Sequence, residues 1–114
     1  IKKEMVFHNG IDIPAPEGTP VLAADKGTVA EIGDDATYGD YAILNHGDIQ
    51  TFYSQLFGFT EGLAEGDTVQ QGDVIGYVGS TGFSTGAHLH YSVTVGSVYV
   101  NPLSLEEKNI LAKQ

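Results

Sequence analysis

His88 and His90 stand two apart in "GAHLHYSV" (86–93), a run whose leucine, tyrosine and valine suit a β-strand. Side chains at i and i+2 of a strand leave from one face, so the two imidazoles share one neighbourhood. A second polar pair, His8 and Asp12, lies in "HNGIDIPAPEG" (8–18). Gly10, Pro14 and Pro16 argue against a helix there. In an extended segment the pair keeps to one side, about 13 Å apart if straight, and Gly10 supplies a bend that brings both to one point. Histidine and aspartate donors suit Zn²⁺, and a catalytic zinc takes three protein ligands and a water. His8, Asp12 and one of His88/His90 fill that count. The remaining histidine then stands beside the water, where an acid/base group or hydrogen-bond donor is needed. The plainer reading is that His8 caps a turn, Asp12 binds backbone amides and the H-x-H pair faces solvent; spacing alone leaves both open. His46, in the glycine-containing "LNHGD", reads as a turn residue and not a fourth ligand.

These side chains need a scaffold of strands. Seven candidates follow one another at short intervals: 19–25, 27–33, 40–47, 49–56, 73–79, 88–95 and 97–103. Such spacing, with 15 glycines in a chain of 114 residues, predicts an all-β fold, a compact antiparallel sheet or β-roll. Ser104 with Glu107 makes a capping box ahead of Ile110 and Leu111, so a short C-terminal helix is expected. The length suits a single domain over 1–114. The start at Ile1, without an initiator Met, suggests a fragment of a longer chain.

Composition removes several functions. The chain has no arginine, five lysines and a formal charge of −10, which argues against nucleic-acid binding and against an anionic membrane surface. With no cysteine, any metal site must use histidine and carboxylates. No apolar window is long enough to span a bilayer, so no direct membrane insertion is expected within this segment. Gly82, Ser84 and Gly86 spell G-x-S-x-G, but that nucleophile elbow belongs to an α/β sheet, for which this chain lacks the alternating helices. The two Gly-Asp turns of "EGDTVQQGDVIG" (65–76) are also found in lipoyl and biotinyl carrier domains. A carrier needs a lysine at a hairpin tip, and none lies between Lys26 and Lys108.

"HNGIDIPAPEGTPVLAADKGTV", "YGDYAILNHGDIQTFYSQL", "EGDTVQQGDVIGYVGSTGFSTGAHLHYSV" and "VNPL" together resemble, in order, the motifs of the lysostaphin-type (LytM-like) zinc endopeptidases, which cut peptide cross-links in bacterial peptidoglycan. The resemblance runs over a core of 8–103. It implies zinc held by His8, Asp12 and His90, with His88 in the catalytic place. It also implies a groove walled by residues 33–40 and the glycine-rich loop 79–87, stem or cross-bridge peptides of peptidoglycan as substrate, and an extracytoplasmic location in the cell wall or envelope.

One departure bears on activity. The family's strand motif Y-x-H-L carries a further catalytic histidine, and this chain reads Tyr53, Ser54, Gln55, Leu56. Gln55 donates and accepts hydrogen bonds but does not hold a proton near neutral pH, so impaired turnover is expected, with Tyr53 or Gln55 assisting by hydrogen bonding. The rival expectation is a catalytically inactive, zinc-binding scaffold or activator domain that engages a cell-wall peptide or a protein partner in a division or sporulation complex.

Overall fold

The computed structural model describes residues 11–36, 38–79, 86–95 and 98–100. Among these residues nine strands follow in order: β1 (Ile11–Pro14), β2 (Pro20–Leu22), β3 (Gly27–Asp35), β4 (Gly39–Asn45), β5 (Ile49–Phe59), β6 (Thr68–Val69), β7 (Val74–Val78), β8 (His88–Val95) and β9 (Val98–Val100). All pairings are antiparallel. The main path runs β1-β8-β5-β4-β3-β6, with β9 beside β8, and with β7 joining β5 to β2. The fold is all-β, as expected, and no helix occurs among the described residues. The predicted helix after Ser104 lies outside them, as do His8 and loop residues 80–85.

Alternation along the strands separates two faces. Val29, Leu44, Tyr53, Leu89, Tyr91 and Val93 are buried and pack with Val21, Leu56, Val69, Ile75 and Val78 into the core. Apolar area of this kind stabilises at about 25 cal/mol per Å² removed from water. Tyr53 and Tyr91 lie opposite one another on β5 and β8 with ring centroids 5.5 Å apart. Burial pushes both phenols up, that of Tyr91 to about 12.

Two strands were not foreseen. In β1 the Ile11 and Ile13 side chains join the core edge, but Pro14 and Pro16 mask the pattern. Pro14 is tolerated because β1 ends the sheet path, where a missing N–H costs no ladder bond. β6 is two residues long, the Thr-Val pair between the Gly-Asp turns. Those turns are built alike. Asp67 Oδ2 accepts from Ala64 N–H and Asp73 Oδ2 accepts from Gln70 N–H, both at 2.9 Å. Each aspartate N–H donates back to the same residue's carbonyl.

β5 is longer than predicted and changes partner along its length. Residues 49–54 pair with β8, whereas Leu56 and Phe59 pair with β7. The change falls on Gln55, whose φ is +65° and which alone among the described non-glycine residues has positive φ. Its N–H donates to Tyr38 O (2.7 Å) and its carbonyl accepts from Gly79 N–H (3.0 Å), so the kink is tied on both sides. Gly79 in turn accepts from His88 N–H at 3.2 Å. A Cβ at Gly79 would lie 2.9 Å from Phe57 N, so the backbone there must shift to admit a side chain. This corner rolls the sheet and sets Gln55 beside the start of β8.

Candidate functional site

The register places the predicted residues. Asp12 pairs with His90, and Pro14 with His88, across β1 and β8. Asp12, His88 and His90 therefore meet on the face away from the core, as the two-residue spacing requires. Asp12 Oδ1 lies 2.8 Å from His90 Nδ1 and 3.9 Å from His88 Nε2.

The histidines are held differently. His88 Nδ1 is 3.0 Å from the Gly86 carbonyl. A carbonyl only accepts, so Nδ1 carries the proton and Nε2 is the atom turned toward Asp12. His90 presents Nδ1 to the carboxylate. Donors about 2.0–2.2 Å from a tetrahedral zinc stand roughly 3.3 Å apart. The Asp12–His90 pair needs to open by about half an ångström and give up its shared proton to accept such an ion. Asp12, whose side chain is 59% exposed, has room to do so. Two donors do not make a site, and among the described residues no three His, Asp or Glu groups converge closely enough to hold a metal. His8, the third ligand of the sequence reading, lies outside the described residues.

Tyr53 is corrected. It borders the floor of the cavity described below but has no exposed surface, and it pairs with Tyr91 on the core face while its neighbour Ser54 pairs with His90. Its hydroxyl accepts from Ala24 N–H (2.9 Å) and is hydrogen-bonded to Thr51 Oγ1 (2.8 Å). Thr51 Oγ1 is 2.8 Å from His46 Nε2, and His46 Nδ1 is 2.7 Å from the Lys26 carbonyl. That carbonyl requires a proton on Nδ1. Thr51 Oγ1 donates to the Tyr53 hydroxyl and also lies in hydrogen-bond reach of His46 Nε2, so the groups form one continuous chain. Every group in the chain is satisfied, and the phenol is committed to the scaffold. His46 is the turn residue expected, its N–H closing the β4–β5 turn onto Ile49 O at 2.8 Å. Its ring ties that turn to the start of β3.

Beside His90 a cavity of about 250 Å³ opens over the outer face of the sheet. Its lining includes Glu31, Asp35, Tyr38, Tyr41, Phe52 and Ser54. The sequence marked only the wall at 33–40. The missed signal was the period-two alternation of β4 and β5, which sends Tyr41 and Ile43, and Phe52 and Ser54, to the face that carries the histidines.

Comparisons with known proteins give the chain's family. The model of Peptidase family M23 matches residues 6–102. The DD-carboxypeptidase/endopeptidase Mpg of Neisseria meningitidis serogroup B is 44% identical over 100 residues, covering 87% of this chain and 23% of that protein. The peptidoglycan DD-endopeptidase ShyC of Vibrio cholerae is 36% identical over 100 residues, with the same two coverages. Among solved structures, a zinc-containing peptidase from Vibrio cholerae superposes with a TM-score of 0.77 at 33% identity, over 82% of this chain and 29% of that one. The chain thus spans about a quarter of the length of these curated relatives.

Proposed function

The chain belongs to peptidase family M23, and from that premise we propose that it is a zinc-dependent peptidoglycan endopeptidase, hydrolysing peptide bonds of cell-wall cross-links in the cell envelope. The observation that carries the proposal is the meeting of Asp12, His88 and His90 on one face, with Asp12 and His90 in donor-to-donor reach. It is supported by the relatives' activities: Mpg is named a DD-carboxypeptidase/endopeptidase and ShyC a peptidoglycan DD-endopeptidase.

In this reading His8, Asp12 and His90 hold the ion. Zinc there supplies a Lewis acid that polarises the scissile carbonyl and makes water nucleophilic near neutral pH. The chain's own residues manage the proton. His88 keeps one proton on Nδ1 against Gly86 and takes up a second at Nε2 as the water oxygen bonds to the carbonyl carbon. It delivers that proton to the leaving nitrogen as the C–N bond breaks. Asp12 Oδ1 lies 3.9 Å from Nε2, which sets this imidazole beside the metal-holding carboxylate. Gln55, in the place of the family's second catalytic histidine, orients water or the substrate carbonyl without exchanging protons. Its backbone is pinned by Tyr38 and Gly79, so the side chain starts from a fixed point.

The loss of one proton-transfer group lowers the rate by about 10²–10⁴. The test is Gln55→His assayed with zinc on a cross-linked muropeptide dimer. A rise of ten-fold or more in monomer formation is expected. A dimer that neither protein cleaves, with zinc bound to both, contradicts the proposal.

A further inference from the structure

The register lines up a row of residues straight across the outer face. Asp12 on β1 is opposite His90 on β8, which is opposite Ser54 on β5. Ser54 and Gln55 fill the bulge facing Tyr41 of β4, and Tyr41 pairs with Gly33 of β3. Glu31 and Asp35 flank Gly33 two residues either side, hence on the same face. Strands lie about 4.8 Å apart, so the β3 end is on the order of 14 Å from His90, roughly the reach of four residues of extended peptide. The cavity beside His90 spans this distance, its lining running from His90 and Ser92 to Glu31 and Asp35.

The β3 end is a built surface. A Cβ at Gly33 would sit 2.7 Å from the Tyr41 hydroxyl oxygen and 2.8 Å from its Cζ, so only glycine lets that ring lie across β3. The ring's hydroxyl donates to Glu31 Oε2 at 2.6 Å. Tyr38, 51% exposed, stands at the hairpin tip, with its N–H on Asp35 Oδ1 at 3.1 Å. Charge is one-sided there. The Tyr41 phenol is pushed above its ordinary value, first by its bond to Glu31 and then by burial and by the charges of Glu31, Asp35 and Glu65. The chain has no arginine, and Lys26, the single lysine among the described residues, precedes the opposite end of β3 from Asp35. Two carboxylates, Glu31 and Asp35, line the cavity together with the rings of Tyr38 and Tyr41, a lining complementary to a cation.

We propose that the β3 end of the cavity, formed by Glu31, Asp35 and the rings of Tyr38 and Tyr41, binds a primary ammonium group carried by the peptide substrate about four residues' reach from the bond cut. Carboxylates and aromatic faces together suit an ammonium, which they attract by charge and by the ring quadrupole. The subsite rests on the peptidase reading and gives it a direction: the peptide lies across the strands, from β8 toward β3, with its amine last.

The test is binding, read independently of turnover. A peptidoglycan-derived peptide with one free primary amine, and the same peptide N-acetylated, are titrated into the zinc-loaded protein by calorimetry. Acetylation is expected to weaken binding about five-fold, by removing an exposed ion pair and a cation–π contact. In Glu31→Gln, which keeps shape and an acceptor for Tyr41, the ratio falls toward one. In Gly33→Ala, which displaces the Tyr41 ring without changing charge, it falls as well. Equal affinities in the wild type, a ratio unchanged in both variants, or no binding of the free-amine peptide overturns the subsite. Failure of the peptidase reading appears separately, as amine-dependent binding without cleavage.

Discussion

Tyr53→Phe separates scaffold from chemistry. The hydroxyl accepts the Ala24 N–H at 2.9 Å and bonds Thr51 at 2.8 Å, in a region where Ala24 is 4% and Thr51 3% exposed. Water does not replace it. Phenylalanine keeps the ring against Tyr91 but leaves the Ala24 N–H without an acceptor. A buried unsatisfied donor costs about 1–3 kcal/mol, so we expect a loss of about 2 kcal/mol and a fall in Tm of about 8 °C. Thr51→Val breaks the same chain from its middle and costs about 1–2 kcal/mol, because partly exposed His46 recovers a water partner. The double variant loses less than the sum, since both single changes remove the one Tyr53–Thr51 bond. The assay is urea unfolding followed by far-UV circular dichroism, the chain having no tryptophan, at fixed saturating zinc. The rate of cleavage per folded molecule should not change. A loss below about 0.5 kcal/mol, or strict additivity, refutes the buried chain; a large fall in rate at unchanged stability refutes the placement of the phenol.

His88→Ala is expected to abolish cleavage while zinc stays bound, and His90→Ala to lose the metal; zinc content after dialysis distinguishes them, and equal loss from both means the roles are reversed. Burial raises the folded-state values of Tyr53 and Tyr91 above the unfolded 10, so their stabilisation is complete below pH 10 and is lost as pH rises through the folded values. For Tyr91 the loss is about 1.4 kcal/mol per pH unit between 10 and 12, measurable as a falling urea midpoint; a flat midpoint contradicts it. Gly79→Ala drives a Cβ against Phe57 N beside the Gln55 kink and should cost about 1–3 kcal/mol and slow cleavage, whereas a neutral result in both assays means the corner adapts.

The sequence carried most of the architecture because alternation and turn residues act locally. The H-x-H pair of β8 and the Gly-Asp turns behave as their spacing requires. β1 was illegible because prolines hid an alternation that only an edge position tolerates. The face taken by Tyr53 was not legible because side-chain period could not be phased from the motif. Only the pairing of Ser54, not Tyr53, with His90 decides which face each takes. The cavity was invisible for a similar reason. Glu31, Tyr41 and Ser54 are far apart in sequence and meet through the register of three strands. The positive φ at Gln55 arises where one strand exchanges partners, a long-range event with no local signal.

The most direct measurement is release of soluble muropeptides from purified peptidoglycan by the zinc-loaded protein, with a chelated sample and zinc add-back alongside. Slow release that stops on chelation and returns with zinc is the expected result. No release from a protein carrying one zinc per chain would contradict it.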